Sequence, residues 1–287
     1  MRRPNEIARQ EELMGTLVEL TSAFEGIASM RIAQIKTQVQ QSTNFFNELW
    51  AIYSQLRAGD VFSFGRANDK AADFIDKELL IIITGESGLS GDIDQKLVEL
   101  MLKSYDKTKN DIIVIGRHGA TQLGQRGVAY RHYFKLPKQD RNINVAPVEH
   151  FVQQYRSTKL FYQQYVSLMV QDVRRIELSN AVEQRGQGAV KPDEIIDTST
   201  YIFEPSGYEV AAHLERSMTK IAISQLILES KLAQYASRFR AMTASHQRAD
   251  EDKKDLHVEF NRARRSLKDE RLKEIINGVR KHAGSGV

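Results

Sequence analysis

Between residues 206 and 287 no proline interrupts the chain, and apolar or small residues return at alternating steps of four and three. The positions are Leu214, Met218, Ile221, Gln225, Leu228, Leu232, Tyr235, Phe239, Met242, His246, Ala249, Lys253, Leu256, Phe260, Ala263 and Leu267. A helix of 3.6 residues per turn keeps such a seven-residue repeat against one partner by supercoiling left-handedly. At 1.5 Å per residue, roughly 75 helical residues reach about 110 Å. A second proline-free stretch runs from Asn5 to about Ala58, with Pro4 where a first helical turn tolerates proline. Its apolar stripe reads Leu13, Leu17, Leu20, Phe24, Ile27, then slips and resumes as Ile32, Ile35, Val39, Ser42, Phe46, Leu49, Tyr53, Leu56. The slip just after Gly26 predicts a local bend or altered supercoiling there.

Two amphipathic helices at opposite ends, separated by about 150 residues of different character, predict an antiparallel coiled coil with a domain between its helices. The N-terminal helix is the shorter, so about twenty residues of the C-terminal one should extend past it unless another protein wraps them. Gln225, His246 and Lys253 interrupt the long seam with polar groups. Two readings stand for them: they set register, or they meet a surrounding protein.

The middle of the chain changes period. Glu78-Leu79-Leu80-Ile81-Ile82-Ile83-Thr84 is a short apolar run bounded by charge and glycine, the pattern of a strand covered on both faces. A glycine-rich turn follows with Gly85, Gly88 and Gly91, and Asp92 then opens an amphipathic helix through about Lys107 with Leu97, Leu100 and Met101 inward. Asp111-Ile112-Ile113-Val114-Ile115-Gly116 repeats the strand pattern and completes a β-α-β unit. A third strand is expected within residues 127–134, a loop over 137–147, a short helix over 148–155 and a strand pair between 160 and 179. Residues 181–192 are expected to be mobile, and 200–203 to form a last short strand. The organisation predicted is a coiled-coil helix over 1–58, a connector over 59–77, an inserted α/β domain over 78–205 and a second coiled-coil helix over 206–287. The fold class is therefore α/β with a long antiparallel coiled coil, the two terminal helices pairing as a rod and the inserted domain being Rossmann-like and mostly parallel.

The glycine-rich turn invites a nucleotide, but its spacing refuses one. The dinucleotide fingerprint needs Gly-x-Gly-x-x-Gly, and a phosphate-binding loop needs a Lys before Ser or Thr. Here Gly91 is followed by Asp92-Ile93-Asp94, and carboxylates at a helix N-terminus repel an anion. Gly85, Gly88 and Gly91 are read as a structural turn. Ser87 and Ser90 lie outside any Gly-x-Ser-x-Gly elbow. The seven histidines make no His-x-x-x-His pair; His246 with Asp250 is the nearest approach to a ligand pair, and Asp250 reads better as part of an exposed acidic patch. The expectation is a non-catalytic chain with no cofactor and no metal.

Composition adds bounds rather than identity. The formal charge is +4, from 41 basic and 37 acidic residues. Residues 206–287 hold 16 Lys or Arg against 11 Asp or Glu, a balance that suits acidic protein surfaces, nucleic acid or anionic lipid alike. There is no cysteine, hence no disulfide and no thiolate, which fits a reducing compartment. No run of eighteen apolar residues is present, and the first residues lack the apolar core of a secretory signal.

Several segments resemble one family. Tyr201-Ile202-Phe203-Glu204-Pro205-Ser206 is similar to the strand-to-helix junction of the gamma subunit, or central shaft, of rotary F-type ATP synthases. Leu228-Glu229-Ser230-Lys231 and Ala236-Ser237-Arg238-Phe239-Arg240-Ala241-Met242 look like its stretch of alanine, arginine and methionine. Glu259-Phe260-Asn261-Arg262-Ala263-Arg264-Arg265 resembles its Tyr-Asn-Lys-Ala-Arg-Gln box, and Ile82-Ile83-Thr84 with residues 88–94 its Thr-Ser-Asp-Arg-Gly-Leu-Cys-Gly-Gly-Phe-Asn. Residues 20–28 match its Ile-Thr-Lys-Ala-Met-x-x-Val-Ala more weakly, with Ser22 replacing the lysine. Thr243-Ala244 and Glu11-Glu12 also depart from the pattern, so the chain reads as a divergent member, and the lack of an arginine- and serine-rich presequence sets the expectation of a bacterial one.

The resemblance implies a rotor that transmits torque between a membrane c-ring and an alpha3-beta3 hexamer, with no catalytic site of its own. The partners implied are the alpha and beta subunits, the epsilon subunit and the c-ring, at the cytoplasmic face of a bacterial plasma membrane. Arg238, Arg240, Arg262, Arg264 and Arg265 become candidates for contacts with alpha and beta, and Leu272, Ile275, Ile276 and Val279 for a tip turning in an apolar collar. The coiled-coil seam is assigned to Leu20, Phe24, Ile27, Leu228, Leu232, Tyr235, Phe239 and Met242. A non-rotary coiled-coil scaffold and a nucleic-acid-binding coiled coil are the alternatives. The second should show a continuous basic stripe, which Asp250-Glu251-Asp252 and Asp255 interrupt.

Overall fold

The computed structural model describes residues 2–57, 75–187, 204 and 207–284. Helix α1 spans Pro4–Arg57 and helix α6 Gly207–Gly284. Between them lie β1 (Ile75–Ile83), α2 (Ile93–Leu102), β2 (Asn110–Ile115), α3 (Arg117–Gln125), β3 (His132–Phe134), α4 (Ala146–Gln153), β4 (Tyr155–Tyr165), β5 (Gln171–Glu177) and α5 (Leu178–Gln187). Two compact units result: Ala28–Phe239, and Met1–Ile27 with Arg240–Val287.

The larger unit is built on a five-stranded sheet ordered β3-β2-β1-β4-β5, parallel except for the β4–β5 pair. Residues Leu79 to Ile83 are fully buried because β1 is the central strand and both its faces are covered. Leu79, Ile81 and Ile83 point into a core shared with Val148 and Val152 of α4, Ala181 of α5, and Ile223, Leu226 and Ile227 of α6. Leu80 and Ile82 point the other way, onto Leu97, Val98 and Met101 of α2 and Leu123 of α3. The unbroken apolar run of β1 is thus explained by a three-layer packing in which α6 is itself one of the covering helices. Within the same unit α1 pairs with α6 in antiparallel order. Phe46, Trp50 and Tyr53 pack with Met218 and Ala222, and Ile35 packs with Leu228 and Leu232.

Three local expectations need correction. The strand expected over 127–134 is confined to His132–Phe134. Gly127 takes φ +67°, which no strand accommodates, and Arg131 is drawn to Asp111 and Tyr155. A helix occupies Arg117–Gln125 where none was foreseen. The segment expected to be mobile from 181 is helical through Gln187, anchored by the buried Ala181 and Val182. The strand expected at 200–203 and residues 59–74 of the connector expected over 59–77 lie outside the described residues, while 75–77 belong to β1 rather than to the connector.

Candidate functional site

In the smaller unit the seam of α6 follows the sequence pattern. Met242, Ala249 and Ala263 are buried, and His246, Lys253, Leu256 and Phe260 are half-buried. The seam of α1 does not. Leu13, Leu17, Leu20, Phe24 and Ile27 are exposed, by 63, 44, 49, 38 and 48%. The inward positions are Ile7, Glu11, Met14, Val18, Thr21 and Glu25, continuing along the helix as Ala28, Ile32, Ile35, Val39, Ser42, Phe46, Leu49 and Tyr53. Within each unit these inward positions keep steps of four and three. Leu20, Phe24 and Ile27 are removed from the seam; they sit one position before it.

Chemical matching explains the choice of face. The facing stretch of α6 is polar: His246 Nδ1 lies 3.2 Å from the Val18 carbonyl and 3.4 Å from Thr21 Oγ1. Thr243 Oγ1 donates to Glu25 at 2.8 Å, and His257 Nδ1 meets Glu11 at 2.9 Å. Gly15 leaves room for Lys253, whose Nζ would stand 3.6 Å from a Cβ added there. His246 and Lys253 therefore meet α1 itself, which is what a register-setting role requires. The exclusion of five large apolar residues leaves an unpaired stripe on α1. At the far end of α6 every residue from Leu267 to Val279 is exposed, with Leu272, Ile275, Ile276 and Val279 at 56, 65, 47 and 64%.

The glycine-rich turn is closed by the chain's own groups. Asp94, 1% exposed, returns from the first turn of α2 to accept the Gly85 amide at 3.2 and 3.3 Å. That carboxylate uses an amide that a phosphate would have needed. It also accepts from Gln163 Nε2 at 2.6 Å and contacts His118 Nδ1 at 2.7 Å. Gln163 in turn accepts from Ser230 Oγ and from Gln234 Nε2 on α6. Gly91 is required by φ +64°, and a Cβ on Gly85 would stand 3.0 Å from Asp94 Oδ2. Gly88 meets neither constraint. Glu86 accepts from the backbone of Arg117 and Leu136 and from the Tyr133 hydroxyl, tying the turn to α3 and β3.

Arg238 reaches the same turn. Its Nη2 donates to Ser87 Oγ at 3.0 Å, the Gly88 carbonyl at 3.2 Å and Ser90 Oγ at 3.3 Å, while its guanidinium lies 5.1 Å over the Tyr235 ring. Ser237 Oγ donates to the Ser90 carbonyl at 2.7 Å. Arg238 is half-buried, and Arg240, Arg262, Arg264 and Arg265 are exposed on α6. Leu228, Leu232 and Met242 are buried, and Tyr235 and Phe239 half-buried.

Three features escaped sequence reasoning. The Asp94–His118–Gln163 cluster joins residues from three elements. Lys231, 3% exposed, pairs with Asp140 and donates to the Pro137 carbonyl at 2.9 Å, holding a loop that Arg31 also grips at 3.5 Å. The β4–β5 tip exposes Val166, Leu168, Met169 and Val170; a run of apolar residues between two strands was its only signal. Among the described residues no group of three or more His, Asp or Glu could hold a metal, and no helix is long and apolar enough to cross a membrane.

The described residues thus combine a glycine-rich turn occupied by its own carboxylate with long paired helices whose outer faces carry exposed apolar and basic residues. The chain belongs to the ATP synthase family, whose model matches residues 5–280. It is homologous to the ATP synthase gamma chain. That of Lachnoclostridium phytofermentans is 24% identical over 96% of this chain and 97% of the relative, and that of Cytophaga hutchinsonii 23% over 91% and 92%. The fold matches a chain of the Euglena gracilis mitochondrial ATP synthase rotor with TM-score 0.60, at 13% identity, covering 92% of this chain and 99% of that one. A chain from the central stalk and c-ring of the Tetrahymena thermophila mitochondrial ATP synthase matches with TM-score 0.57, at 18% identity, over 78% and 98%.

Proposed function

We propose that this chain is the central rotor shaft of an F-type ATP synthase, carrying torque between a membrane c-ring and an alpha3-beta3 hexamer and performing no bond chemistry itself. The observation that carries this reading is the family match over residues 5–280, nearly the whole chain. The helices supply what such a role demands. Two supercoiled helices resist torsion better than one, and a shaft can bias one nucleotide site over another only if its surface is asymmetric. The surface here is asymmetric: an apolar stripe of Leu13, Leu17, Leu20, Phe24 and Ile27 marks one face of α1, and Arg262, Arg264 and Arg265 stand exposed on α6.

In this reading Leu272, Ile275, Ile276 and Val279 turn within an apolar collar of the hexamer, and Arg240, Arg262, Arg264 and Arg265 face acidic residues of alpha and beta. Arg238 is assigned instead to holding the glycine-rich turn. The α/β domain meets the epsilon subunit and the c-ring. The complex sits peripherally at the cytoplasmic face of a bacterial plasma membrane. Native purification through an affinity tag on the chain, followed by intact-complex mass, tests the assignment. One copy per three alpha–beta pairs supports it. Recovery as a homodimer, or on nucleic acid with a steep salt dependence, favours the scaffold or nucleic-acid alternatives.

A further inference from the structure

The buried carboxylate of Asp94 holds together four parts of the larger unit. It accepts the Gly85 amide of the turn, Gln163 of β4 and His118 of α3, and through Gln163 it reaches Ser230 and Gln234 of α6. Ser230 Oγ also lies 3.4 Å from the carbonyl of Ile83, at the end of β1. Apart from His118 these partners are backbone, hydroxyl or amide groups, none of which titrates. Charged side chains nearby are committed elsewhere: Glu86 to Arg117 N, Leu136 N and Tyr133, Arg238 to Ser87, Gly88 and Ser90, and Lys96 to Asp92 on the exposed side of α2. His118 is therefore the one titratable side chain in contact with Asp94 among the described residues.

The two members of the pair differ in access to water. The Asp94 side chain is 2% exposed, whereas that of His118 is 33% exposed. A proton can reach the imidazole from solvent without opening the core. When His118 is neutral, the contact requires its proton on Nδ1, and Nε2 faces Gln122 as an acceptor at 3.5 Å. When it is charged, the same contact becomes an ion pair and compensates a carboxylate that is otherwise sealed from water.

We propose that Asp94 and His118 form a proton-responsive latch fastening the glycine-rich turn and β4 to α6, tightened when His118 is protonated and loosened when it is not. The hydrogen bond to Asp94 raises the His118 pKa above its ordinary value, and burial opposes that rise only in part. The sign follows. A histidine with a raised folded pKa contributes stability that is fully present below the unfolded value of about 6.5 and is lost as pH rises through the folded one. The latch stands on this geometry alone. Only its consequence, a more compliant joint between domain and helix at alkaline pH, rests on the rotor reading.

Hydrogen exchange by NMR on the full-length chain tests it, with intrinsic exchange rates removed at each pH. The latch predicts that the Gly85 amide and the amides at Ser230 and Gln234 lose protection several-fold as pH rises, along one titration curve that coincides with the His118 imidazole. In His118→Gln, which keeps a donor but cannot titrate, protection should become independent of pH while the fold persists. His118→Ala should leave the turn loosened at every pH. An imidazole that titrates with no accompanying change on α6, or a His118→Gln variant that keeps the full pH dependence, would overturn the proposal. Either result leaves subunit stoichiometry untouched, so the latch and the rotor assignment fail separately.

Discussion

Truncating Ile35 and truncating Leu20 should have unequal costs, although both are large aliphatic residues on α1. Ile35 is fully buried against Leu228 and Leu232. Replacing it with alanine removes buried methylene and methyl groups and leaves a cavity between two helices that cannot collapse freely, a loss of about 2–5 kcal/mol. Leu20 is 49% exposed, so only about half of a transfer free energy of roughly 2 kcal/mol is at stake. Alanine's better helix propensity returns a few tenths of a kcal/mol, leaving a net cost of about 1 kcal/mol or less. Urea denaturation of the full-length chain measures both. Helical circular dichroism follows α1 and α6, and Trp50, the chain's only tryptophan, reports on the cluster with Phe46 and Met218. Ile35→Ala should lower the midpoint markedly and Leu20→Ala barely. If the two cost the same, or if Leu20→Ala is the worse, the seam assigned to Thr21, Glu25 and Ala28 is wrong.

Other substitutions probe the larger unit. Gly116 takes φ +100°, and a Cβ there would strike the Thr84 carbonyl. Gly116→Ala should therefore cost about 1–3 kcal/mol or more in thermal unfolding, while Gly124→Ala, in α3 with open space around it, should be neutral or slightly stabilising. Among the described residues, Lys231→Met leaves Asp140 with only the more distant Arg31 and should cost about 3–5 kcal/mol, of which a second change, Asp140→Leu, should recover part. Burial raises the Asp111 pKa, but hydrogen bonds from Lys77, Tyr155 and Arg131 outweigh it and leave the carboxyl below its ordinary value. Its contribution is present above the unfolded value of about 3.8 and lost as pH falls through the folded one, so acid unfolding should show an Asp111-dependent component that Asp111→Asn removes. On the alkaline side, burial and Asp111 push the Tyr155 phenol up to about 12, and the latest part of an ultraviolet tyrosine titration should disappear in Tyr155→Phe.

How much of this was legible depended on whether a local pattern had a single interpretation. The runs at 79–83 and 112–115 could only be covered strands, and the structure buries them on both faces. On α6 the positions from Met242 to Ala263 had no rival stripe of equal strength. On α1 two stripes shared the same spacing, one apolar and one mixed, and periodicity alone favoured the apolar one. The tie is broken by the opposite helix: His246, Thr243 and Lys253 need polar or small partners, which Thr21, Glu25 and Gly15 provide and Leu20, Phe24 and Ile27 do not. Helix α3 was invisible because its nine residues include two glycines and one large apolar side chain, Leu123; its start is fixed by Glu86, thirty-one residues away. The Asp94 cluster was hidden for the same reason, since its members lie far apart in sequence and only the sheet brings them together.

The central claim, rotation inside a hexamer, is tested most directly by reversible cross-linking. The chain contains no cysteine, so Ile276→Cys introduces a single thiol on the exposed end of α6. Paired with one cysteine placed on the inner collar of a beta subunit in the purified complex, it should oxidise to a disulfide that arrests ATP hydrolysis, with activity returning on reduction. After one round of turnover between reduction and reoxidation, the cross-link should be found on any of the three beta subunits, distinguished by an isotopic label on one. A cross-link that always returns to the same beta subunit, or that forms without affecting hydrolysis, would contradict a turning shaft.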